Sequence, residues 1–251
     1  ALTAAGRFQQ PDLDLDVPLN LRGALARDRL GIDEGAVSLY QGTASLRGEV
    51  RWSPREAWQF SGAMRGFDPA AIRAALPGRL NFDFDVAGDA FGPRATIDAR
   101  FRNLDGQLRG AAARGRGRIV LQGERWQFDG VSVSAGSLRV AADGSLTPAA
   151  VNLDFRLDAD DLGVLSPRSR GALNSRGTIS GNTRQPVIRA TAAGRGIELE
   201  GLRLARFDAD IDLDPRAGRN SNVRIEARGL EYAGRTLASA AVALRGSAEQ
   251  N

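Results

Sequence analysis

The chain has 251 residues and a formal net charge of +4, and 42% of its residues are hydrophobic. It contains no Cys, no His and no Lys, so all 34 basic residues are Arg. These absences exclude disulfides, thiol and Schiff-base chemistry, Ser-His-Asp triads and zinc sites with nitrogen or sulfur ligands. No convergent pair stands out among the remaining carboxylates, Arg, Ser, Thr and Tyr, so we expect a protein that is not an enzyme and takes no cofactor or metal.

Three further expectations follow from the overall pattern. No run of 18 apolar residues occurs, so we expect no helix that spans a bilayer. Residues 1–6 lack the charged and apolar regions of a signal peptide. With 34 basic against 30 acidic residues, the charge balance predicts at most a modest attraction to anions.

Strict alternation of apolar and polar residues recurs along the chain. Successive side chains of a strand point to opposite faces, so each alternating segment is predicted to be a strand with one apolar and one wet face. Strong alternation covers residues 12–22, 79–86, 151–158 and 207–214, and weaker alternation covers 44–52, 95–101, 131–135 and 223–227.

Turn signals separate these segments about every ten residues and predict a meander of antiparallel hairpins. One segment has helix signals: it begins with Asp68 as N-cap, continues with Pro69 and ends with Pro77 and Gly78, which allows two helical turns at most. The predicted turns are Asp33-Glu34-Gly35, Gln41-Gly42, Asp105-Gly106, Asp129-Gly130, Asp143-Gly144, Glu200-Gly201 and Ala217-Gly218.

An internal repeat organises the chain. A shift of 93 residues places Asp68 on Asp161 and Gly88 on Gly181. Repeats of fixed period are typical of architectures in which each unit buries its apolar face with help from its neighbours. No linker separates the copies, so we predict one continuous segment over residues 1–251, with copies at about 20–110 and 111–205 and a partial copy at 206–251.

Each one-sided strand needs cover for its apolar face. A sandwich uses a second sheet and a barrel uses itself, and both normally close within about 100–150 residues. Here the alternation continues without a closing irregularity. We therefore predict an all-β protein: an elongated antiparallel sheet of about 18–20 strands, folded lengthwise into an open hydrophobic groove (a β-taco), with short helical loops between repeats. Two consecutive β-sandwiches remain the alternative.

A long apolar groove suits the conduction of lipid. Burial of a sixteen-carbon acyl chain is worth about 13 kcal/mol, at about 0.8 kcal/mol per CH₂. A uniform aliphatic wall supplies this stabilisation along its whole length and traps the chain at no single site. The residues predicted to line the groove are Leu13, Leu15, Val17, Leu80, Phe82, Phe84, Val86, Val151, Leu153, Phe155, Leu157, Phe207, Ile211 and Leu213.

Short motifs follow a fixed order over residues 37–214, and this order is more specific than any one of them. They are Trp52-x-Pro54-x₃-Trp58-x-Phe60, Phe67-Asp68-Pro69, Leu76-Pro77-Gly78-x-Leu80, Gly88-x₄-Pro93, Leu104-x-Gly106-x-Leu108, Gly171-x-Leu173 and Gly177-Thr178-Ile179-Ser180-Gly181-x₄-Pro186. In these motifs the chain resembles the TamB family of AsmA-like repeating β-groove proteins of Gram-negative envelopes.

The resemblance implies a periplasmic, taco-shaped β-groove that moves phospholipid between the inner and outer membranes and supports outer-membrane biogenesis. Members of this family are anchored in the inner membrane by an N-terminal helix and engage TamA, an outer-membrane barrel, through a terminal domain. Neither part is identified in these residues. The resemblance therefore implies an internal piece of the groove, which holds phospholipid or another acyl lipid while a TamA-like partner binds elsewhere on the protein.

Two charged patterns have both a functional and a structural interpretation. The aspartates within residues 12–16 and 208–214 suggest a calcium loop, but the Gly that such a loop requires is missing, and the alternation favours a solvated strand face. The Arg- and Gly-rich residues 109–118 resemble a nucleic-acid-binding segment without its aromatic residues. We predict a solvated loop or edge there and no nucleic-acid partner, with contact to phosphate head groups as the second hypothesis.

Two further features have alternative roles. Trp52, Trp58 and Trp126 suit a membrane interface, but their apolar neighbours favour packing in the groove or core. The loops at residues 68–78 and 161–171 recur at the same place in each copy, and they either line or plug the groove or simply join strands.

The leading hypothesis is a lipid-conducting segment that is not an enzyme. One alternative is a scaffold or chaperone that assists the assembly of outer-membrane proteins, such as autotransporters, through strand-edge or groove binding. A second alternative is a tandem β-sandwich interaction protein, which would bury its apolar faces in closed cores and hold no lipid.

Overall fold

The computed structural model describes residues 2–10, 15–92, 95–166, 168–216 and 218–247, with side chains for all of these except 4–10 and 15–19. The regular structure in these residues is β-strand apart from two short 3-10 turns, so the prediction of an all-β protein is confirmed. The chain divides into two compact units, residues 1–124 and 125–251. The continuity of the chain as one segment stays a prediction.

Unit 1 is an open antiparallel sheet in which strands that follow each other in the chain are neighbours. The first and last strands of this order each have one neighbour within the unit, so the sheet does not close on itself. The strands are β1 (Leu2–Gln10), β2 (Leu15–Leu25), β3 (Arg29–Leu39), β4 (Gly42–Arg51), β5 (Ala57–Phe67), β6 (Gly78–Gly88), β7 (Thr96–Leu108) and β8 (Ala111–Gln122).

Unit 2 has the same meander topology, with each strand antiparallel to the next. Its strands are β9 (Arg125–Ala135), β10 (Leu138–Leu146), β11 (Ala150–Ala159), β12 (Ser169–Asn182), β13 (Gln185–Leu199), β14 (Leu202–Leu213), β15 (Asn220–Tyr232) and β16 (Arg235–Ser247). The eight segments predicted from alternation all fall within strands wherever the structure describes them, apart from one or two residues at some of their ends.

Four hairpins turn through two residues that both have positive φ. This geometry matches the right-handed twist of the flanking strands. Gly is the usual second residue because it adopts positive φ without steric cost, but Gln41 takes this position between β3 and β4 with φ 63°. The other three turns of this kind are Arg109-Gly110, Glu200-Gly201 and Ala233-Gly234.

Four of the predicted turns are wrong, because their residues lie inside strands. Asp129 and Gly130 lie in β9 and Asp143 and Gly144 lie in β10, and the register shifts where Asp129 and Gly130 face the single residue Asp143. The Asp143 carboxylate accepts a hydrogen bond from the N–H of Gly130. Bulges and turns use the same residue types because both need positive φ and a side chain that bonds the backbone. The other two false turns are Asp33-Glu34-Gly35 in β3 and Asp105-Gly106 in β7.

The strands are consequently longer and fewer than predicted. Sixteen strands occur in the described residues, and the longest, β13, has 15 residues. The prediction of about 18–20 strands is too high, since four of the predicted chain reversals lie inside strands.

The segment with helix signals forms a single 3-10 turn, Pro69–Ala71. Asp68 is its N-cap, as predicted, and one carboxylate oxygen accepts from the N–H groups of Ala70 at 2.9 Å and Gly78 at 3.0 Å. One side chain therefore holds both ends of the loop. The repeat has the equivalent turn at Leu162–Val164, where Asp161 accepts from the N–H of Gly163 at 2.8 Å.

A small core in unit 2 forms where this second turn meets the sheet. Leu138, Ala159 and Leu162 are 5%, 0% and 7% exposed. Partly buried side chains pack around them, namely Leu157, Val164, Leu173 and Ile197. The 3-10 turn therefore lies against the apolar side of β10 and β11, and hydrophobic burial fixes it there.

The turn after β14 is ordered by a charged pair. The Asp214 side chain is only 6% exposed, and it accepts from Arg216 Nε at 2.7 Å. The hydrogen bonds from Arg216 outweigh the effect of burial and lower the pKa of Asp214 to about 2. Ser221 completes the turn, since its hydroxyl accepts from the N–H of Asp214 at 3.0 Å.

We expect this pair to make stability depend on acid pH. The unfolded Asp has a pKa of about 3.9, so the unfolded state takes up the proton first as the pH falls. The stabilisation by ionised Asp214 is therefore fully present above about pH 4 and is lost as the pH falls toward 2. Urea unfolding measures the free energy of unfolding of wild type and of Asp214→Asn. The difference between the two should be constant near neutral pH and shrink between pH 4 and pH 2.5. Asp210→Asn, which alters an exposed residue of β14, is the control, and an advantage that persists unchanged at pH 2.5 contradicts the expectation.

Candidate functional site

Each unit has an apolar face and a charged face, because side chains alternate along every strand. Residues directly opposite each other on neighbouring strands lie on the same face. The register between the strands therefore shows which of the predicted lining residues come together.

In unit 1 the predicted residues of β6 lie within rows of apolar residues. Phe84 is opposite Gly62 of β5 and Phe101 of β7. Leu80 is 8% exposed. The other three predicted residues of this strand are half-buried, namely Phe82, Phe84 and Val86.

In unit 2 one row joins predicted residues of two separate strands. Phe155 of β11 is opposite Gly177, which is opposite Ala190, which is opposite Ile211 of β14. The structure thus places the predicted residues of β11 and β14 on one apolar face, with two strands between them. Val151 is buried, and the rest are half-buried, namely Leu153, Phe155, Leu157, Phe207, Ile211 and Leu213.

The predicted residues of β2 are only partly described. Leu13 lies outside the described residues, and Leu15 and Val17 belong to β2 without described side chains. The lining role of all these residues in a lipid groove stays a prediction.

Sequence reasoning missed most of the apolar face that lies between the predicted strands. These strands interrupt their aliphatic residues with Gly, Ala and Ser, which weakens the alternation. The weak signals at residues 44–52, 95–101 and 223–227 could have found part of this set. The missed residues include Leu46, Phe60, Phe101 and Ile119 in unit 1 and Ile179, Ile188 and Ile225 in unit 2.

Aromatic rings of the apolar face lie over glycines of neighbouring strands. A Cβ atom added to Gly88 would lie 2.3 Å from the Trp58 ring, and one added to Gly48 would lie 2.0 Å from the Gln59 carbonyl oxygen and 2.6 Å from the Phe60 ring. These rings occupy the space that a side chain would otherwise fill. The glycines therefore belong to the apolar face and are not gaps in it.

Apart from the 3-10 turn at Leu162–Val164, no second layer covers the apolar face within the part of the chain that the structure describes. No large side chain there is fully buried. Within each unit, apolar surface therefore remains available to a ligand.

The charged face is held by ion pairs between strands. Arg118 of β8 donates two hydrogen bonds to Asp98 of β7, at 2.8 and 2.7 Å. Hydrogen bonding by Arg118 lowers the pKa of Asp98 despite the opposing effect of burial. Exposed pairs of this kind contribute about 1 kcal/mol or less each to the stability of the fold. They therefore help to set the register between strands but do not drive folding.

The predicted aspartate ladder of β14 lies on this charged face. Asp208 accepts from Arg206 at 2.7 Å, and Asp212 is 3.2 Å from Arg189. Asp12 and Asp14 lie outside the described residues, and the side chain of Asp16 is not described. No group of three or more acidic residues in the described ranges is placed to hold a metal ion.

The Arg- and Gly-rich segment is not the loop that the sequence predicts. Arg109 and Gly110 form a hairpin turn, but residues 111–118 belong to β8. Gly115 is opposite Leu104 and Gly117 is opposite Phe101, so the glycines lie on the apolar face and the arginines between them lie on the charged face. The segment therefore has the period of a strand, with Gly where other strands have aliphatic residues.

The three tryptophans have different environments. Trp58 is half-buried, packs against Phe60 and donates to the carbonyl of Ala90 at 3.1 Å. Trp52 and Trp126 are 41% and 43% exposed. Packing within the sheet, as predicted, therefore describes Trp58 best.

The two repeated loops also differ from each other. The first joins β5 to β6 and exposes Ile72 to solvent by 70%. The second joins β11 to β12 and buries Leu162 against the apolar face of unit 2.

Comparison with known proteins gives one informative match. A family model described as the N-terminal domain of TamB matches residues 1–251 and so includes both units. No curated protein and no solved structure matches the chain. Within the described residues, no helix has the length and apolar character to cross a membrane.

Proposed function

The chain belongs to the TamB family of Gram-negative envelope proteins, and from this we propose that it is a lipid-conducting segment in the periplasm. In this proposal the apolar face of each unit holds the acyl chains of phospholipids that move between the inner and outer membranes, and so serves outer-membrane biogenesis. The segment is not an enzyme and uses no cofactor, because its role is to provide an apolar surface to which acyl chains bind. A TamA-like outer-membrane barrel engages parts of the protein other than these residues.

The observation that carries the proposal is the uncovered apolar face. In unit 2 an apolar row runs from Phe155 through Gly177 and Ala190 to Ile211 without a charged residue. Each CH₂ group laid against such a surface leaves water at a gain of about 0.8 kcal/mol. Acyl chains are therefore suited to cover what the protein itself leaves exposed.

Conduction requires that the lipid is held at no single place. The cavities of about 850 Å³ in unit 1 and 490 Å³ in unit 2 are lined mainly by charged-face residues. The apolar faces instead present repeated aliphatic and aromatic groups with similar neighbours from strand to strand. A lipid that moves along such a face exchanges one apolar contact for another at little cost.

A second candidate is a scaffold that adds strands of client proteins to its own sheet. It is favoured by β16, which presents three exposed apolar residues on the last strand of unit 2. Strand addition supplies affinity through backbone hydrogen bonds and specificity through side-chain contacts. The exposed residues are Leu237, Val242 and Leu244, at 48%, 56% and 51%.

Native mass spectrometry of the purified chain tests lipid holding. We expect protein isolated from cells without harsh detergent to carry phospholipid adducts, which dissociate when a competing detergent is added. A tandem sandwich with closed cores would carry none. A spectrum of bare protein under the gentlest conditions, together with no uptake of added phospholipid, contradicts the proposal.

A further inference from the structure

The charged face of unit 1 contains a polar cavity of about 850 Å³. This volume is within the range of sites that bind small molecules, about 300–1,000 Å³. The cavity extends from β3 to β7, and its lining combines polar and charged residues with the apolar Ile32, Phe60 and Val86. The side chains that matter to its chemistry are Arg47, Glu49, Gln59, Ser61, Asp85 and Arg100.

One straight row of residues crosses this cavity. Arg47 of β4 is opposite Ser61 of β5, Ser61 is opposite Asp85 of β6, and Asp85 is opposite Arg100 of β7. Neighbouring strands are about 4.8 Å apart, so the Cα atoms of the two arginines are about 14 Å apart. The row therefore has a guanidinium at each end.

Three carboxylates of the cavity wall are already paired with arginines outside the wall. Arg51 lies 2.7 Å from Glu49 and Arg102 lies 2.6 Å from Asp85. Asp98 is likewise held by Arg118. These three carboxylates are therefore neutralised by arginines outside the wall, although the charge of Arg100 also acts on Asp98.

Arg47 and Arg100 form no ion pair with any carboxylate in the described residues. Arg47 donates only to the Ser61 hydroxyl, at 3.4 Å. Asp33, at the bulge of β3, is the remaining acidic residue of the wall. The cavity thus presents two available guanidinium groups, one carboxylate and the neutral side chains of Gln59 and Ser61.

We propose that this cavity binds a small polar ligand with an anionic group at each end, of the sugar bisphosphate class. A guanidinium binds phosphate oxygens through two parallel hydrogen bonds, which suits Arg47 and Arg100 to the two ends. Sugar hydroxyl groups match Gln59 and Ser61 of β5, which accept or donate hydrogen bonds between the two ends. The two arginines lie on the charged face, so the proposed binding does not depend on lipid conduction.

Isothermal titration calorimetry at low ionic strength tests the proposal with fructose 1,6-bisphosphate and fructose 6-phosphate. We expect the bisphosphate to bind at least about 10-fold more tightly, because it engages a second charged hydrogen-bonding group. Arg47→Gln and Arg100→Gln should each reduce the affinity for the bisphosphate to that for the monophosphate. Neither residue holds an ion pair, so both variants should keep the circular dichroism spectrum of wild type.

Arg189→Gln is the matched control. Arg189 lies on the charged face of unit 2 at 3.2 Å from Asp212 and contributes nothing to the cavity. This variant should bind the bisphosphate as wild type does. Equal affinity for the two sugars, no binding at millimolar concentration, or an equal loss in Arg189→Gln would each overturn the proposal.

Discussion

Leu138→Ala is expected to lower the free energy of unfolding by about 2–4 kcal/mol, because it removes a buried side chain from the small core of unit 2. Leu138 is 5% exposed and packs with Ala159 and Leu162. Most apolar residues of this chain face solvent on one side, so few positions depend as strongly on protein contacts. Urea unfolding followed by circular dichroism measures the loss.

Leu146→Ala makes the same chemical change on the same strand and is the control. Leu146 is 41% exposed, so its truncation should cost about 1 kcal/mol or less. If the two variants lose the same stability, the core around the second 3-10 turn does not have the role that we assign to it.

Ala190→Arg is expected to reduce the phospholipid retained by the purified chain to less than about half. Ala190 lies in the apolar row between Gly177 and Ile211. A charge placed among acyl chains costs about 2.5 kcal/mol or more, so lipid should avoid this part of the face. The phospholipid-to-protein ratio after gentle purification, from phosphorus analysis of extracted lipid, measures the effect.

Thr191→Arg places the same charge on the next residue of β13. Thr191 is exposed on the charged face, opposite Arg176 and Asp210. Retained lipid should therefore stay at the wild-type level. An equal reduction in both variants would mean that general charge or loss of folding, and not the apolar row, determines retention.

The strands were predictable because alternation is a local property of the sequence. Residues 79–86 and 151–158 show period two, and they lie in β6 and β11. The bulges were not predictable, because Asp143-Gly144 has the same residues as a turn. Only the pairing of β9 with β10 shows that the chain continues in the same direction there.

The two faces differed in how far the sequence could describe them. Phe84 and Phe155 were assigned to an apolar face from alternation alone. Their neighbours Gly62 and Gly177 were missed, because a glycine contributes to an apolar face only where another strand's side chain lies over it. The charged cavity was missed because it depends on which arginine pairs with which carboxylate, and this is set by register between strands.

Photo-crosslinking to lipid in cells tests the central claim most directly. A photoreactive amino acid at Phe84 or Phe155 would lie on the apolar faces, whereas one at Ser45 or Asp154 would lie on the charged faces. We predict phospholipid adducts at Phe84 and Phe155 and only background at Ser45 and Asp154. Equal adducts on both faces, or none at Phe84 and Phe155, would contradict lipid binding by the apolar face.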